Sequence, residues 1–260
     1  MRATAAAEIL PRFGRLAPAE VREKRPGETV TAADTAAEAM LAGLLEDIFP
    51  ASVVGEEGVE ADPRLLERLG RSDPLWIVDT VDGTDNFAKG DKRFGIIVAF
   101  ADRGETLAGW ILDPLADRLV WAAKGQGAWS NGTRLSTARP APLAELAGTA
   151  GLRARERLDA RRQAGTTPDL PRTVARYGTI ALEYLDLARG EIAYMRCVGR
   201  LKPWDHAAGV LIHAEAGGYS QLAGGEGPYR IVPPRTKDGT LLLAPDQTSW
   251  ESLSAAFAAP

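Results

Sequence analysis

The sequence predicts an α+β fold, and three patterns carry the prediction: one amphipathic helical stretch over residues 32 to 49, closely spaced strands between Phe94 and Ala123, and apolar helices alternating with short strands in the second half. In the helical stretch Ala37, Met40, Leu41, Leu44, Leu45 and Ile48 recur at the three-and-four spacing of one buried face, and Pro50 ends it. Val53-Val54 and Trp76-Ile77-Val78 read as short strands running into Glu56 and Asp79, which brings both acids to strand ends, where a scaffold holds side chains rigidly. Phe94 to Phe100, Thr106 to Leu112 and Arg118 to Ala123 read as an antiparallel meander, punctuated by Asp102-Arg103-Gly104 and Asp113-Pro114.

Thr137-Ala138-Arg139-Pro140-Ala141-Pro142 continues neither sheet nor helix easily, which places a junction between an N-terminal lobe (1–138) and a C-terminal lobe (139–260). Beyond it the pattern reads as an α/β lobe and predicts a helix near Thr179 to Ala188 closed by Gly190. A second helix near Trp204 to Ala216 is closed by Gly217-Gly218, and a strand follows at Leu241 to Ala244. No internal repeat of solenoid or propeller period is present.

With 260 residues, 45% of them hydrophobic, the chain can bury a substantial core without staples. A single cysteine, Cys197, excludes an internal disulfide, and no 18-residue apolar run or signal-like segment is visible, so a cytoplasmic protein is expected. A net charge of −4, from 31 basic and 35 acidic residues, gives no electrostatic reason for a nucleic-acid or membrane partner and favours a small molecule. The local cluster Arg153, Arg155, Arg157, Arg161 and Arg162, offset by Glu156 and Asp159, reads as a solvated helix face or as a basic rim that recruits an anionic substrate.

Only His206 and His213 are available as histidines, seven residues apart on one predicted helix, and no Gly-x-Ser-x-Gly element occurs. Zinc chemistry and covalent catalysis by Ser or Cys are therefore poorly supported. The informative segment is Asp79-Thr80-Val81-Asp82-Gly83-Thr84-Asp85-Asn86-Phe87. Asp79 and Asp82, three residues apart, suit Mg²⁺, and a Gly-Thr turn opening a helix offers amides to phosphate. The same residues are also the ordinary vocabulary of turns and caps, so residue chemistry alone leaves a metal or phosphate site and a structural turn both open.

That segment resembles the first signature of the inositol monophosphatase family, and Trp204-Asp205-His206-Ala207-Ala208-Gly209 resembles its second, Trp-Asp-x-Ala-Ala-Gly. Gly55-Glu56-Glu57 and Val30-Thr31-Ala32-Ala33-Asp34 resemble two upstream elements, in matching order. The resemblance implies a layered αβαβα sugar-phosphatase fold of two lobes. It also implies Mg²⁺-dependent hydrolysis of a phosphate monoester of a small polyol or sugar by metal-activated water, with two or three Mg²⁺ and inhibition by lithium. On this likeness Asp79 bridges two metals, Asp82 and Asp205 complete one of them, Glu56 supports the metal bearing the attacking water, and Val81 contributes its carbonyl. Thr84 orients the water, Asp34 hydrogen-bonds Thr84, and Asp82 with the amides of Gly83 and Thr84 receives the phosphate. A homodimer is common in such proteins.

Simpler readings stand beside these. Thr31-x-x-Asp34 fits a helix capping box, Asp205 after Pro203 fits a helix N-cap, Trp204 suits a core, and Glu56 or Glu57 could be surface turn acids. Two departures from the family pattern matter. Thr80 stands where the family commonly has proline, and Tyr194-Met195-Arg196-Cys197-Val198-Gly199-Arg200 lacks the acid with which inositol-hydrolysing members grip substrate hydroxyls. Arg196 or Arg200 there would favour a second anionic group. Tyr177-Gly178-Thr179-Ile180-Ala181 resembles the family's substrate-lobe turn, which makes Gly178, Thr179 and Glu183 candidates for lining the pocket. Rival activities are 3′(2′),5′-bisphosphate nucleotidase, fructose-1,6-bisphosphatase and histidinol phosphatase, although Asn86-Phe87 leans toward the inositol-phosphatase branch. A rival of another class is a catalytically silent phospho-ligand-binding protein.

Overall fold

The computed structural model describes residues 1–71, 73–165, 169–234 and 239–259. After a short helical N-terminal segment that includes α1 (Arg2–Thr4), strands β1 (Val21–Arg25) and β2 (Glu28–Thr31) form a hairpin that leads directly into α2 (Ala32–Ile48). A seven-stranded sheet follows, in the order β3-β4-β5-β6-β7-β8-β9: β3 (Ser52–Gly55), β4 (Leu75–Asp82), β5 (Gly95–Asp102), β6 (Glu105–Asp113), β7 (Arg118–Ala123), β8 (Ala128–Ser130) and β9 (Thr133–Arg134). Only the β3–β4 pair is parallel; the remainder is the expected meander. Short helices α3 (Glu56–Ala61) and α4 (Thr84–Ala88) leave β3 and β4 on the same side.

The second sheet has the order β11-β10-β12-β14-β13, from β10 (Ala147–Ala150), β11 (Arg172–Ala175), β12 (Tyr194–Gly199), β13 (Tyr219–Leu222) and β14 (Gly239–Ala244). Its helices are α5 (Leu152–Gln163), α6 (Ile180–Ala188), α7 (Pro203–Glu215) and α8 (Gln247–Ala258).

Alternation along the strands sorts the side chains into layers. Trp76, Val78, Ile96 and Val98 face Ala33, Ala37, Leu41 and Leu45 of α2. Their neighbours Leu75, Ile77, Ile97 and Ala99 face the opposite way, onto α6 and α7, which in turn meet Met195, Cys197, Leu241 and Leu243 of the second sheet. The far face of that sheet packs Tyr194, Leu242 and Ala244 against Leu158 of α5 and Phe257 of α8. The result is a five-layer αβαβα arrangement. Helices α6 and α7 come from the C-terminal half yet share one core with both sheets.

The buried face of α2 differs from the periodicity prediction. Leu44 and Ile48 point outward, with Ile48 73% exposed, while Asp34 and Glu38 are buried. Hydrophobic spacing alone cannot register a face whose inward positions include two carboxylates held by partners on other elements. In the outer layer, Arg157 and Arg161 of α5 are more than a solvated face, because they donate to the Phe257 and Ala256 carbonyls at the end of α8 (2.8 and 2.7 Å). Cys197 is buried in β12, and burial pushes its thiol up to about 12, so it has no nucleophilic character at neutral pH.

Both histidines of α7 are buried. Burial depresses the pKa of His213 to about 3, outweighing a smaller opposing effect from the Ala244 backbone. An unfolded histidine titrates near 6.5. Below that pH the unfolded chain therefore takes up a proton that the folded chain refuses until about pH 3, and stability falls as the solution is acidified. His213→Leu is expected to lessen this fall by about 1.4 kcal/mol per pH unit below pH 6. Urea midpoints of the two proteins between pH 7 and 4 check this; parallel slopes would refute it.

Candidate active site

The site lies where β3 and β4 end beside the N-termini of α3, α4 and α7. Residues Glu28, Glu56, Asp79, Val81, Asp82, Gly83, Thr84, Gly178, Lys202 and Asp205 are among those lining a cleft of about 210 Å³. Carboxylate oxygens of Glu56, Asp79 and Asp205 lie within 4.8 Å of one another, although the residues are separated by as much as 149 positions in sequence. The described residues present no second group of this kind.

Local backbone chemistry sets each position. In β4 the pairing with β5 is interrupted between Asp79 and Asp82, and Asp79 accepts the Val81 amide at 3.1 Å, so the strand is distorted where it delivers both acids. Asp79 thus sits within β4 rather than at its end. Gly83 adopts φ 91°, ψ 35°, and a Cβ there would meet the Arg93 carbonyl and the Thr179 Cβ at 3.0 Å. Only glycine makes that left-handed step into α4 without strain. Asp205 occupies the first turn of α7 behind Pro203, with Lys202 at the N-cap, so it is not itself the cap residue.

Thr84 Oγ1 lies 2.8 Å from Asp34 Oδ1 and 2.9 Å from the Val81 carbonyl. Asp34 Oδ2 accepts from the Thr31 amide (2.9 Å) and hydroxyl (2.5 Å), so the capping box and the Thr84 contact coexist on opposite oxygens of one carboxylate. Thr80, at the position where the family commonly has proline, donates to the Asp34 carbonyl at 3.1 Å and ties β4 to α2 through a side chain instead of a ring. Asp82 Oδ2 accepts from Thr179 Oγ1 (2.5 Å) and the Ala181 amide (2.7 Å), which anchors the start of α6 to the first signature. Asn86 adds a second tie by donating to the Tyr177 carbonyl at 3.0 Å.

The electrostatics reflect buried negative charge. Burial, followed by Glu56, Asp82 and Asp205, holds Asp79 well above the usual carboxylate range. Burial also raises Asp205 strongly and Asp82 to about 6. Glu56 is the exception: burial works against its charge, but Lys202 and Lys24 outweigh that and lower its pKa. Lys202 Nζ and Trp204 Nε1 donate to its two oxygens at 3.1 and 3.0 Å. Lys24 reaches it from β1 at 3.3 Å and also pairs with Glu57. Sequence reasoning missed Lys24 and Lys202; the position of Lys202 beside the second signature was the available signal, whereas nothing local marked Lys24.

Three expected pocket residues fall elsewhere. Gly178 lines the cleft, but Thr179 is buried beneath Asp82. Glu183 does not line the pocket: it is fully buried, accepting from Thr149 (2.8 Å), the Tyr177 amide (2.8 Å) and Arg176 (2.7 Å). Arg196 also lies outside the cleft, its guanidinium 5.2 Å from the Phe257 ring centroid on the α8 side of the second sheet, because alternation along β12 directs it away. Arg200, beyond the end of β12, instead lines a side groove of about 150 Å³ that shares Glu28, Glu56 and Lys202 with the cleft.

Fold and cleft together define a class: layered α+β proteins with a buried carboxylate cluster in a cleft where strand ends meet helix N-termini. Comparison with known proteins gives the family. The model of the inositol monophosphatase family matches residues 1–257, and the chain belongs to that family. It is 31% identical over 204 residues to the fructose-1,6-bisphosphatase/inositol-1-monophosphatase of Thermotoga maritima, covering 75% of this chain and 73% of that protein. It is 31% identical over 210 residues to the inositol-1-monophosphatase of Bacillus subtilis (78% and 76% covered) and 33% identical over 222 residues to the Nus factor SuhB of Escherichia coli (79% and 76%). Among solved structures, a Thermotoga maritima IMPase superposes with a TM-score of 0.80 over 99% of this chain and 93% of that one at 24% identity, a likeness of fold. Family membership supports phosphatase activity.

Proposed function

We propose that the protein is a Mg²⁺-dependent phosphomonoesterase acting on a small phosphorylated polyol or sugar. The observation that carries this is the convergence of Glu56, Asp79 and Asp205 beside the Thr84–Asp34 pair. The donor set fits a hard divalent cation: every ligand is oxygen, the three carboxylates face one small volume, and their repulsion in a buried site calls for a compensating cation. Asp82 and Val81 line the same cleft and would offer further oxygen donors. Glu56, Asp79 and Asp205 would hold Mg²⁺, which would supply charge neutralisation at phosphoryl oxygens and a water of lowered pKa.

The chain's own groups then do the rest. Thr84, backed by Asp34, orients the attacking water and passes its proton along the hydroxyl–carboxylate pair. The Gly83 and Thr84 amides at the start of α4 receive the phosphate oxygens. Trp204 of the second signature and Lys202 just before it hold Glu56, which links the two halves of the site.

A second reading concerns the substrate. Arg200 has no ion pair among the described residues and lines the groove continuous with the cleft, which favours an ester bearing a second anionic group. A phosphate-release panel with Mg²⁺, using inositol 1-phosphate, fructose 1,6-bisphosphate, an adenosine 3′,5′-bisphosphate and histidinol phosphate, tests both readings. Mg²⁺-dependent release that is lost in Asp82→Asn is expected. Much faster turnover of inositol 1-phosphate than of the bisphosphates would discard the second-anion reading. Absence of turnover on every ester, by protein that still binds Mg²⁺, would favour a silent phospho-ligand-binding protein.

A further inference from the structure

Glu38 lies one helical turn beyond Asp34 on α2, and the two carboxylates share the buried side of that helix. Asp34 reaches Thr84. Glu38, only 8% exposed, reaches α3, where its two oxygens accept the amides of Glu57 (2.9 Å) and Gly58 (2.6 Å). Those amides belong to the first turn of α3, whose opening residue is Glu56. The first amides of a helix need acceptors from outside it, and a carboxylate is the strongest acceptor a side chain offers there.

A local cap would ordinarily come from a Ser, Thr, Asp or Asn at the N-cap. Here the N-cap is Gly55, and a Cβ on it would stand 2.3 Å from the Glu38 carboxyl carbon and 2.4 Å from each oxygen. The remote carboxylate has taken the space a local cap would need. A local cap would move with α3. Glu38 instead ties α3 to α2, the helix that also carries Asp34 and is fastened to β4 by Thr80.

We propose that Glu38 is a positioning residue: by clamping the first turn of α3 it fixes Glu56 against Asp79 and Asp205, so that α2 sets the separation between the cation-binding side of the site, through Glu38, and the water-orienting side, through Asp34. This rests on the phosphatase reading above. Gly55 is the residue that makes room for the clamp.

Calorimetric Mg²⁺ titration of the full chain and of E38Q, E38D and G55A tests it, alongside each variant's thermal midpoint. Glutamine keeps the size but presents one acceptor to two amides, aspartate is too short to reach both, and the Gly55→Ala methyl displaces the carboxylate without altering it. All three are expected to bind Mg²⁺ about 10-fold more weakly or worse, the range for loss of a group that orients a metal ligand, while folded at the titration temperature. A role in stability alone would lower the midpoint and leave the Mg²⁺ Kd unchanged, which would overturn the proposal. Failure of all three variants to fold would overturn it as well, by making Glu38 a stability residue. Absence of Mg²⁺ binding by the unaltered chain would overturn the phosphatase reading and this inference together, a result distinct from either of those.

Discussion

Replacing Thr84 by alanine is expected to lower kcat by about 10²- to 10⁴-fold, the span for removal of a positioned proton-transfer group. The hydroxyl sits between Asp34 Oδ1 and the Val81 carbonyl, within the cleft that holds the acid cluster. Its loss removes the group proposed to orient water while leaving every carboxylate in place. Mg²⁺ affinity is therefore expected to change little, and KM less than kcat. Thr84→Ser keeps the hydroxyl and should recover most of the rate. Single-turnover kinetics with saturating Mg²⁺ measure this; an alanine variant within a few-fold of the parent would remove Thr84 from the mechanism. Asp34→Asn offers a second reading of the same pair, because it preserves size while losing the charged acceptor that Thr84 and the Thr31 hydroxyl share.

Replacing Glu183 by alanine is expected to destabilise the protein by about 3 to 5 kcal/mol, the cost of breaking a buried ion pair from one side. Glu183 is fully buried and satisfies Thr149, the Tyr177 amide and Arg176 at once. Removing it strands a guanidinium whose side chain is only 29% exposed, together with a buried hydroxyl. Equilibrium urea unfolding at pH 7 reads the effect, and a loss below about 1 kcal/mol, typical of an exposed pair, would show the network to be dispensable. Activity should fall in parallel, since Glu183 fixes Tyr177, and the turn that follows supplies Gly178 to the cleft and Thr179 to Asp82. Glu183 thus governs the pocket from behind its wall.

Much of the site was legible in sequence because its residues sit where chain geometry is locally coded. Asp79, Asp82, Gly83 and Thr84 occupy the distorted second half of one strand and the turn after it, a conformation that demands the glycine and in which Asp79 is fixed by the nearby Val81 amide. Asp205 follows a proline-initiated helix start in the same way. The meander was legible for a related reason: strand alternation and turn residues are nearest-neighbour properties. Misreadings came where a residue's role is set by something distant. Leu44 and Ile48 fit a helical stripe but lie outside, because the inward positions of α2 are shared with Asp34 and Glu38, whose partners are on α3 and α4. Arg196 and Glu183 were near the pocket in sequence, yet the pleat of β12 and the packing of α6 turn them away from it.

By itself, then, the sequence determined the α+β class through local periodicity, while the two signatures were legible only by their resemblance to a family, because side-chain chemistry along a short segment leaves a metal site and a structural turn both open. Only the tertiary structure decided which carboxylates meet, that Lys24 and Lys202 restrain Glu56, that Glu183 belongs to the core, and that Arg200 rather than Arg196 lines the groove beside the cleft. The physical reason is that burial and charge pairing are properties of a place in space. Residues from β1, α2, α3, β4 and α7 share that place only after both sheets have closed on α6 and α7.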